Sequence, residues 1–176
     1  MWSDFILGVI SGSAATLVGF GFTMAWDLWK IRHEDKRRGR AILRAVKHEL
    51  EENGEIANAN LKLLNEESAY LSKREHLLVL LQPFKPGVWD LLKANLPDEL
   101  LAQTDLLVEL RDMSFGVSHL NEGIASRQTF KDTSGAMSNF SETLTNRNGL
   151  LNSEIQQFMA KREKVLQLFK QRIGEI

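Results

Sequence analysis

The sequence predicts an all-α protein in which a single N-terminal transmembrane helix is followed by a cytoplasmic helical bundle of about four helices. Residues 5–26 carry no charged side chain, and a strongly basic stretch follows them directly. Beyond that stretch, apolar residues recur at spacings of three and four, and no run alternates between apolar and polar residues as a strand would. We therefore expect three parts, a transmembrane helix at 1–29, a basic juxtamembrane helix at 30–48 and a cytoplasmic helical bundle at 49–176.

The composition is typical of a globular chain, with 43% apolar and 26% charged residues. After one membrane segment is set aside, the remaining chain is long enough for one domain of ordinary size. A net charge of −1 gives no general argument for nucleic-acid binding. The chain has no cysteine, which excludes disulfides, thiolate nucleophiles and cysteine-ligated metal sites.

The uncharged run has the length of a membrane span. Its 22 residues would extend about 33 Å as a helix, close to the ~30 Å hydrocarbon thickness of a bilayer. Trp2 lies at one end, and Trp26 and Trp29 lie at the other, at the depths that indole rings prefer. A cleaved signal peptide is disfavoured because Asp4, and no Lys or Arg, precedes the run. A buried core helix is disfavoured because no polar face interrupts it.

The basic stretch predicts the orientation. Residues 30–47 contain eight Lys or Arg and two acidic residues, a net charge of +6. Such charges favour the cytoplasmic side, so we expect an inner-membrane protein with its N-terminus outside. The lipid bilayer is then a partner, and the residues predicted to contact its surface are Lys30, Arg32, Lys36, Arg37, Arg38 and Arg40. A nucleic-acid patch is the alternative, but no aromatic residue lies between Ile31 and Tyr70 to stack on bases.

Small residues within the span predict helix–helix contact. Four of them are spaced 4, 3 and 4 residues apart and fall within ~60° of one another on a helix, which allows a second backbone to approach closely. The predicted contact residues are Gly8, Gly12, Ala15 and Gly19. Hydroxyl side chains flank this stripe and would face the lumen if several helices formed a ring. These candidate lumen residues are Ser13, Thr16 and Thr23. The alternative is chance, since glycine is common in membrane helices.

In the cytoplasmic part the first helix is expected to continue, with a seam at Leu43, Val46, Leu50, Asn53, Ala57, Leu61 and Leu64. A second helix is predicted at 67–82, a turn at 83–87, and a short helix at 88–96 that buries Trp89 and Leu92. A helix from Pro97 has its seam at Leu100, Gln103, Leu107, Leu110, Ser114, Val117, Asn121 and Ile124. Residues 127–148 are expected to form a loop or a broken helix, docked by Phe130, Met137, Phe140 and Leu144. The last helix has its seam at Leu151, Ile155, Phe158, Val165 and Phe169.

No catalytic or cofactor site is predicted. The histidines lack H-x-x-x-H or E-x-x-H spacing, and there is no phosphate-binding glycine loop or nucleophile elbow. Asn53, Asn60 and Asn121 lie on or beside apolar seams. For these we expect structural pinning of the bundle rather than ligand contact.

The order of features resembles that of small single-pass bacterial membrane proteins of unassigned role. It runs from one span through the basic exit Lys36-Arg-Arg-Gly-Arg40 and Glu49-Leu-Glu-Glu-Asn53 to a Trp-containing turn and a helix ending near Asn121. In shape it also resembles the membrane accessory proteins of type VI-B CRISPR systems. That resemblance implies an oligomeric pore that depolarises the membrane in antiviral defence.

The same resemblance implies a divergent HEPN-like domain, whose ribonuclease form has four to six residues between Arg and His. Here Arg40 to His48 and Arg111 to His119 each have seven intervening residues, and Arg44 to His48 has three. RNA cleavage is therefore not predicted.

The leading hypothesis is a self-associating single-pass membrane protein, a homo-oligomer that extends to a pore acting as a membrane effector in bacterial antiviral defence. The alternative is a membrane tether whose cytoplasmic bundle binds and recruits a protein partner. A nuclease or other hydrolase is the least favoured class.

Overall fold

The computed structural model is all-α throughout the residues it describes, which confirms the predicted class. It describes the backbone of residues 2–73, 75, 77, 79–87, 92–93, 96, 98–101 and 103–173, and, except at 98 and 99, their side chains from Thr23 onward. Within these residues there are three long helices, α1 (Trp2–Ser72), α3 (Thr104–Ser134) and α4 (Phe140–Ile173), and one short helix, α2 (Asp98–Leu101). The expected bundle of about four helices is thus built mainly from three.

Helix α1 is continuous over 71 residues, a length of about 107 Å. The predicted start of a second helix near Ser68 is wrong, because α1 passes through this position and ends at Ser72. Its buried face simply continues, with Leu64, Glu67 and Leu71 all shielded from solvent. The sequence leaves open whether the first helix continues into the bundle or is jointed to it, and the backbone of α1 runs on without a break.

The three long helices bury residues at alternating spacings of three and four, the pattern of coiled-coil packing. In α1 the buried positions are Leu43, Val46, Leu50, Asn53, Ala57, Asn60, Leu64, Glu67 and Leu71. In α3 they are Leu106, Leu110, Met113, Val117, Leu120, Ile124 and Arg127. In α4 they are Leu144, Asn148, Leu151, Ile155, Phe158, Val165 and Phe169. The seam predicted for α4 is confirmed, whereas that of α3 is offset: Gln103, Leu107, Ser114 and Asn121 are only half-buried.

The direction of each helix follows from its cross-contacts. Helix α4 runs antiparallel to α1, because Asn152 pairs with Asn65 while Arg162, later in α4, bonds to the carbonyl of Leu50. Helix α3 runs parallel to α1. Its early residue Leu110 lines one cavity with Leu50, whereas its later residue Arg127 contacts Glu67. Because α1 and α3 are parallel, the chain between them must return along the bundle.

That return is made by residues 79–86, which we call the strap. The predictions of a helix at 67–82 and of a turn at 83–87 are wrong here, since the strap has no helical or turn structure. Pro83 and Pro86 provide no N–H, and the residue before a proline is disfavoured in helical geometry. After the strap, Leu92 is buried as predicted. Trp89 lies outside the described residues.

The segment 127–148 is a broken helix. Helix α3 continues to Ser134, and α4 begins at Phe140 after a short turn. The rings of Phe130 and Phe140 stack 5.5 Å apart across this turn, and Leu144 is buried, as expected for docking residues. Met137 does not dock, because its side chain at the tip of the turn is 55% exposed.

Candidate functional site

The residues predicted to contact another helix lie on the first turns of α1. The backbone at Gly8, Gly12, Ala15 and Gly19 is helical, but the side chains of residues 2–22 lie outside the described part of the chain. The small-residue stripe therefore stays a prediction, as does the lumen role of Ser13 and Thr16. Thr23, the third candidate lumen residue, is exposed on α1.

From the side chains that the structure describes, no helix is both long enough and apolar enough to cross a membrane. Most of the uncharged run 5–26 precedes Thr23 and lies outside those side chains.

At the end of that run and just after it, α1 exposes a group of large apolar side chains, which we call the apolar collar. Each is more than half exposed, and they are Met24, Trp26, Leu28, Trp29 and Ile31. Successive residues of a helix turn by about 100°, so Met24, Leu28 and Ile31 lie on one side of the helix and the two tryptophans lie on the opposite side. Trp26 stacks on Trp29 at 5.2 Å, and Trp29 stacks on His33 at 5.0 Å. A collar of this kind differs from the one-sided stripe of a bundle helix.

The residues predicted to contact the membrane surface follow directly and form a basic collar. All six are exposed, and they are Lys30, Arg32, Lys36, Arg37, Arg38 and Arg40. They point to all sides of α1, over an axial distance of about 15 Å. A ring of positive charge around a helix is complementary to a flat anionic surface, such as that of a membrane, that the helix axis crosses. A nucleic acid lying along the helix would favour a one-sided stripe instead.

The two collars lie beyond the packed bundle. Every residue from 23 to 38 is exposed, and the first large apolar side chain in the core is that of Leu43. Trp29 is about 21 Å from Leu43 along the helix axis. Among the described residues, α1 thus joins the apolar collar to the bundle.

Inside the bundle, three asparagines hold the strap by its main chain, and we call them the asparagine clamp. Each uses both atoms of its amide: the oxygen accepts from one strap N–H and the nitrogen donates to the carbonyl of the same residue. Asn60 holds Gln82 at 2.9 and 2.8 Å. Asn53 holds Lys85 at 2.8 and 3.0 Å, and Asn121 holds Phe84 at 2.7 and 2.9 Å. The three asparagines therefore hold the strap, and their predicted role in pinning the bundle stays a prediction.

The spacing of the clamp residues on α1 matches the spacing of the strap residues that they bind. Asn53 and Asn60 are seven residues apart on α1, about 10.5 Å along the axis. Their partners Lys85 and Gln82 are three residues apart, a distance that only an extended chain covers. A left-handed polyproline helix rises about 9.3 Å over three residues and returns to the same side. Because the two prolines have no N–H, the clamp takes every N–H of residues 82–86.

One side chain anchors the strap. Phe84 is 2% exposed and meets the ring of Phe158 edge-on at 5.2 Å. At the rim, Lys85 Nζ donates to Glu52 at 2.6 Å, which lowers the pKa of that carboxyl.

At the end of the bundle away from the collars lies a buried ion cluster of Glu67, Arg127, Lys131 and Asn148. The Glu67 carboxylate accepts hydrogen bonds from Arg127, from Lys131 Nζ at 2.6 Å and from Asn148 at 2.7 Å. Arg127 also donates to Asn148 at 2.7 Å. Lys131 donates further to the strap carbonyl of Val79 at 3.2 Å. The cluster thus links all three long helices and the start of the strap.

Burial alone would raise the pKa of Glu67. The hydrogen bonds from Lys131, Asn148 and Arg127, together with the charge of Arg127, outweigh it, so the pKa lies below its ordinary value of 4.5. Glu67 is therefore ionised at neutral pH, and two cations face one anion in a site that is nearly closed to water.

We find no arrangement of side chains in the described residues that forms a catalytic or metal-binding site. No group of three or more His, Asp or Glu side chains there could hold a metal ion. His48 lies 3.8 Å from Glu52, His119 lies 3.3 Å from Glu154, and His33 stacks on Trp29.

The comparisons with known proteins found no relative: no family model, no curated protein and no solved structure matches the chain.

The buried ion cluster was missed from the sequence, although a signal was present. Glu67 continues the three–four spacing of α1 after Asn60 and Leu64, and Arg127 continues that of α3 after Ile124. A charged residue at a core position of such a repeat requires a buried partner.

Proposed function

We propose that the protein is a single-pass inner-membrane protein, with its N-terminus outside and its bundle in the cytoplasm. Residues 5–26 would cross the bilayer, and α1 would join this span to the bundle as one continuous helix. The observation that carries the proposal is the pair of collars, first apolar and then basic, on a stretch of α1 in which every residue from 23 to 38 is exposed.

The apolar collar is costly in water and favourable in lipid. Removing apolar surface from water contributes about 25 cal/mol per Å², so five exposed side chains on one helix need a partner surface. Because they lie on two opposite sides of the helix, lipid covers them at once, whereas a single protein partner covers one side. Trp26 and Trp29 would then lie at the headgroup level, with the basic collar above the anionic leaflet.

Self-association is the second part of the proposal and rests on the small-residue stripe of the span. Gly8, Gly12, Ala15 and Gly19 would allow close approach of several copies, and Ser13, Thr16 and Thr23 would face an enclosed lumen. In this proposal the assembly is a pore. Its role as a membrane effector in antiviral defence rests on the resemblance of feature order alone.

The test is the native mass of the full-length protein in mild detergent, by light scattering with the detergent contribution subtracted. A discrete species of four or more subunits supports a ring. In the variant Gly12→Leu with Gly19→Leu, this mass should fall. The matched control is Ala14→Leu with Gly21→Leu, on the opposite face of the helix, which should leave the mass unchanged. Unchanged mass in the first variant would refute the contact face.

A tether that recruits a cytoplasmic protein is the second candidate. It is favoured by exposed apolar residues at the end of α2 and on α3, where Val108 and Phe115 are seven residues apart. Leu101 is 56%, Val108 42% and Phe115 65% exposed. A native mass of one or two subunits would support the tether and contradict the pore.

A further inference from the structure

The strap is held as a bound peptide is held. The main-chain groups of Gln82, Phe84 and Lys85 bond to asparagine side chains, and among the described residues no backbone group of the helices bonds to them. Such contacts depend on the path of the strap and on the positions of its prolines, and they do not depend on its connection to the chain. A groove that binds main chain in this way accepts any segment with the same backbone.

The side chains of the strap indicate which peptide sequences would fit the groove. Pro83 and Pro86 remove the N–H groups that the clamp does not use. Phe84 fills the pocket against Phe158. Lys85 meets the acidic rim of the groove at Glu52, 2.6 Å away. The sequence that the groove selects is therefore proline, aromatic, basic, proline.

The strap does not fill the groove completely. A cavity of about 40 Å³ lies at the end of the strap beside Pro86, and its lining combines apolar side chains with Glu49, Asn53, Lys85 and Ser114. Its apolar lining includes Leu50, Leu92 and Val117.

We propose that the groove between α1 and α3 is a recognition site for extended peptides of the form Pro-aromatic-basic-Pro, and that the strap is its resident, displaceable ligand. The occupant is a segment of this chemistry in a partner protein. Extended proline-rich segments are recurrent ligands because their conformation is formed before binding. This proposal is independent of the membrane span.

Competition between the strap and a free peptide provides the test. The probe is a fluorescein-labelled peptide with the sequence of residues 80–87, Leu-Leu-Gln-Pro-Phe-Lys-Pro-Gly. Its binding to the full-length protein in mild detergent is measured by fluorescence anisotropy. The tethered strap has an effective concentration on the order of mM, so wild-type protein should bind the probe weakly.

Weakening the strap should strengthen binding of the probe. Lys85→Glu places two carboxylates together at the rim, where both residues are partly exposed, and should tighten probe binding at least fivefold. A peptide with alanine in place of phenylalanine should not bind either protein. Equal affinity of wild type and Lys85→Glu, or equal binding of the alanine peptide, would overturn the proposal.

Phe84→Ala empties the groove more completely and should bind the probe still more tightly, at least tenfold over wild type. Its helix content is checked by circular dichroism. A helical Phe84→Ala protein that does not bind the probe would show that the strap is a structural element only.

Discussion

Replacing Glu67 by alanine should be the most destabilising single change in the described bundle. The carboxylate is 1% exposed and carries the hydrogen bonds of Arg127, Lys131 and Asn148. Without it, two buried cations have no counter-charge and repel one another. Breaking a buried ion pair by removing one partner costs about 3–5 kcal/mol, a large share of the 5–15 kcal/mol by which ordinary domains are stable.

The assay is urea unfolding of the full-length protein in mild detergent, followed by far-UV circular dichroism. Glu67→Gln keeps the volume and one acceptor, and should lose about 2–3 kcal/mol. The combined variant Glu67→Leu, Arg127→Met and Lys131→Met removes every charge and should recover most of the loss, because apolar replacement of a whole buried cluster is often neutral. A loss below about 1 kcal/mol for Glu67→Ala would refute the account of this cluster.

Three further predictions concern stability in the same assay. Asn60→Ala leaves the N–H and carbonyl of Gln82 without partners and should cost about 1–3 kcal/mol; no change would show that water replaces the clamp. A Cβ at position 54 would lie 2.5 Å from the Arg162 guanidinium, so Gly54→Ala should cost about 1–2 kcal/mol in the wild type. In an Arg162→Ala background the same change should stabilise by up to about 1 kcal/mol, and equal effects in the two backgrounds would contradict the contact. Because the pKa of Glu67 is lowered on folding, its contribution is present above pH 4.5 and is lost as the pH falls through the folded value; Glu67→Gln should show a flatter decline in acid.

The repeat of the long helices could be predicted from the sequence because it is local. The seam of α4 was identified residue by residue, and most of that of α1 as well. The predicted buried face of α3 differs from the observed one because adjacent leucines, such as Leu106 and Leu107, allow two different registers. Only the contacts with α4 and the strap decide which one faces the core.

The strap could not be predicted, because its conformation depends on distant residues. The run Leu77–Leu81 is apolar and short, and such a run cannot be assigned to helix or extended chain by its period. Its main-chain partners lie 22 to 37 residues away. Asn53, Asn60 and Asn121 could be identified from their polar character within apolar seams. The segment that they hold could not.

The buried ion cluster was missed for a similar reason. Glu67 follows Glu66, and charged pairs on helices are usually solvated, as Glu66 is. The partners of Glu67 are 60 and more residues away. The sequence could have indicated the cluster only through the continued three–four spacing.

The most direct test of the central claim is the sidedness of the two ends of α1 in a membrane. The chain has no cysteine, so single cysteines can be introduced without background. Ser3→Cys would lie before the span, and Glu163→Cys lies at an exposed position of the bundle. In intact bacterial cells a membrane-impermeant maleimide should label the first variant, and it should label the second only after permeabilisation. Labelling of both variants without permeabilisation, or of neither, or recovery of the protein in the fraction without membranes, would contradict a single span with the bundle inside.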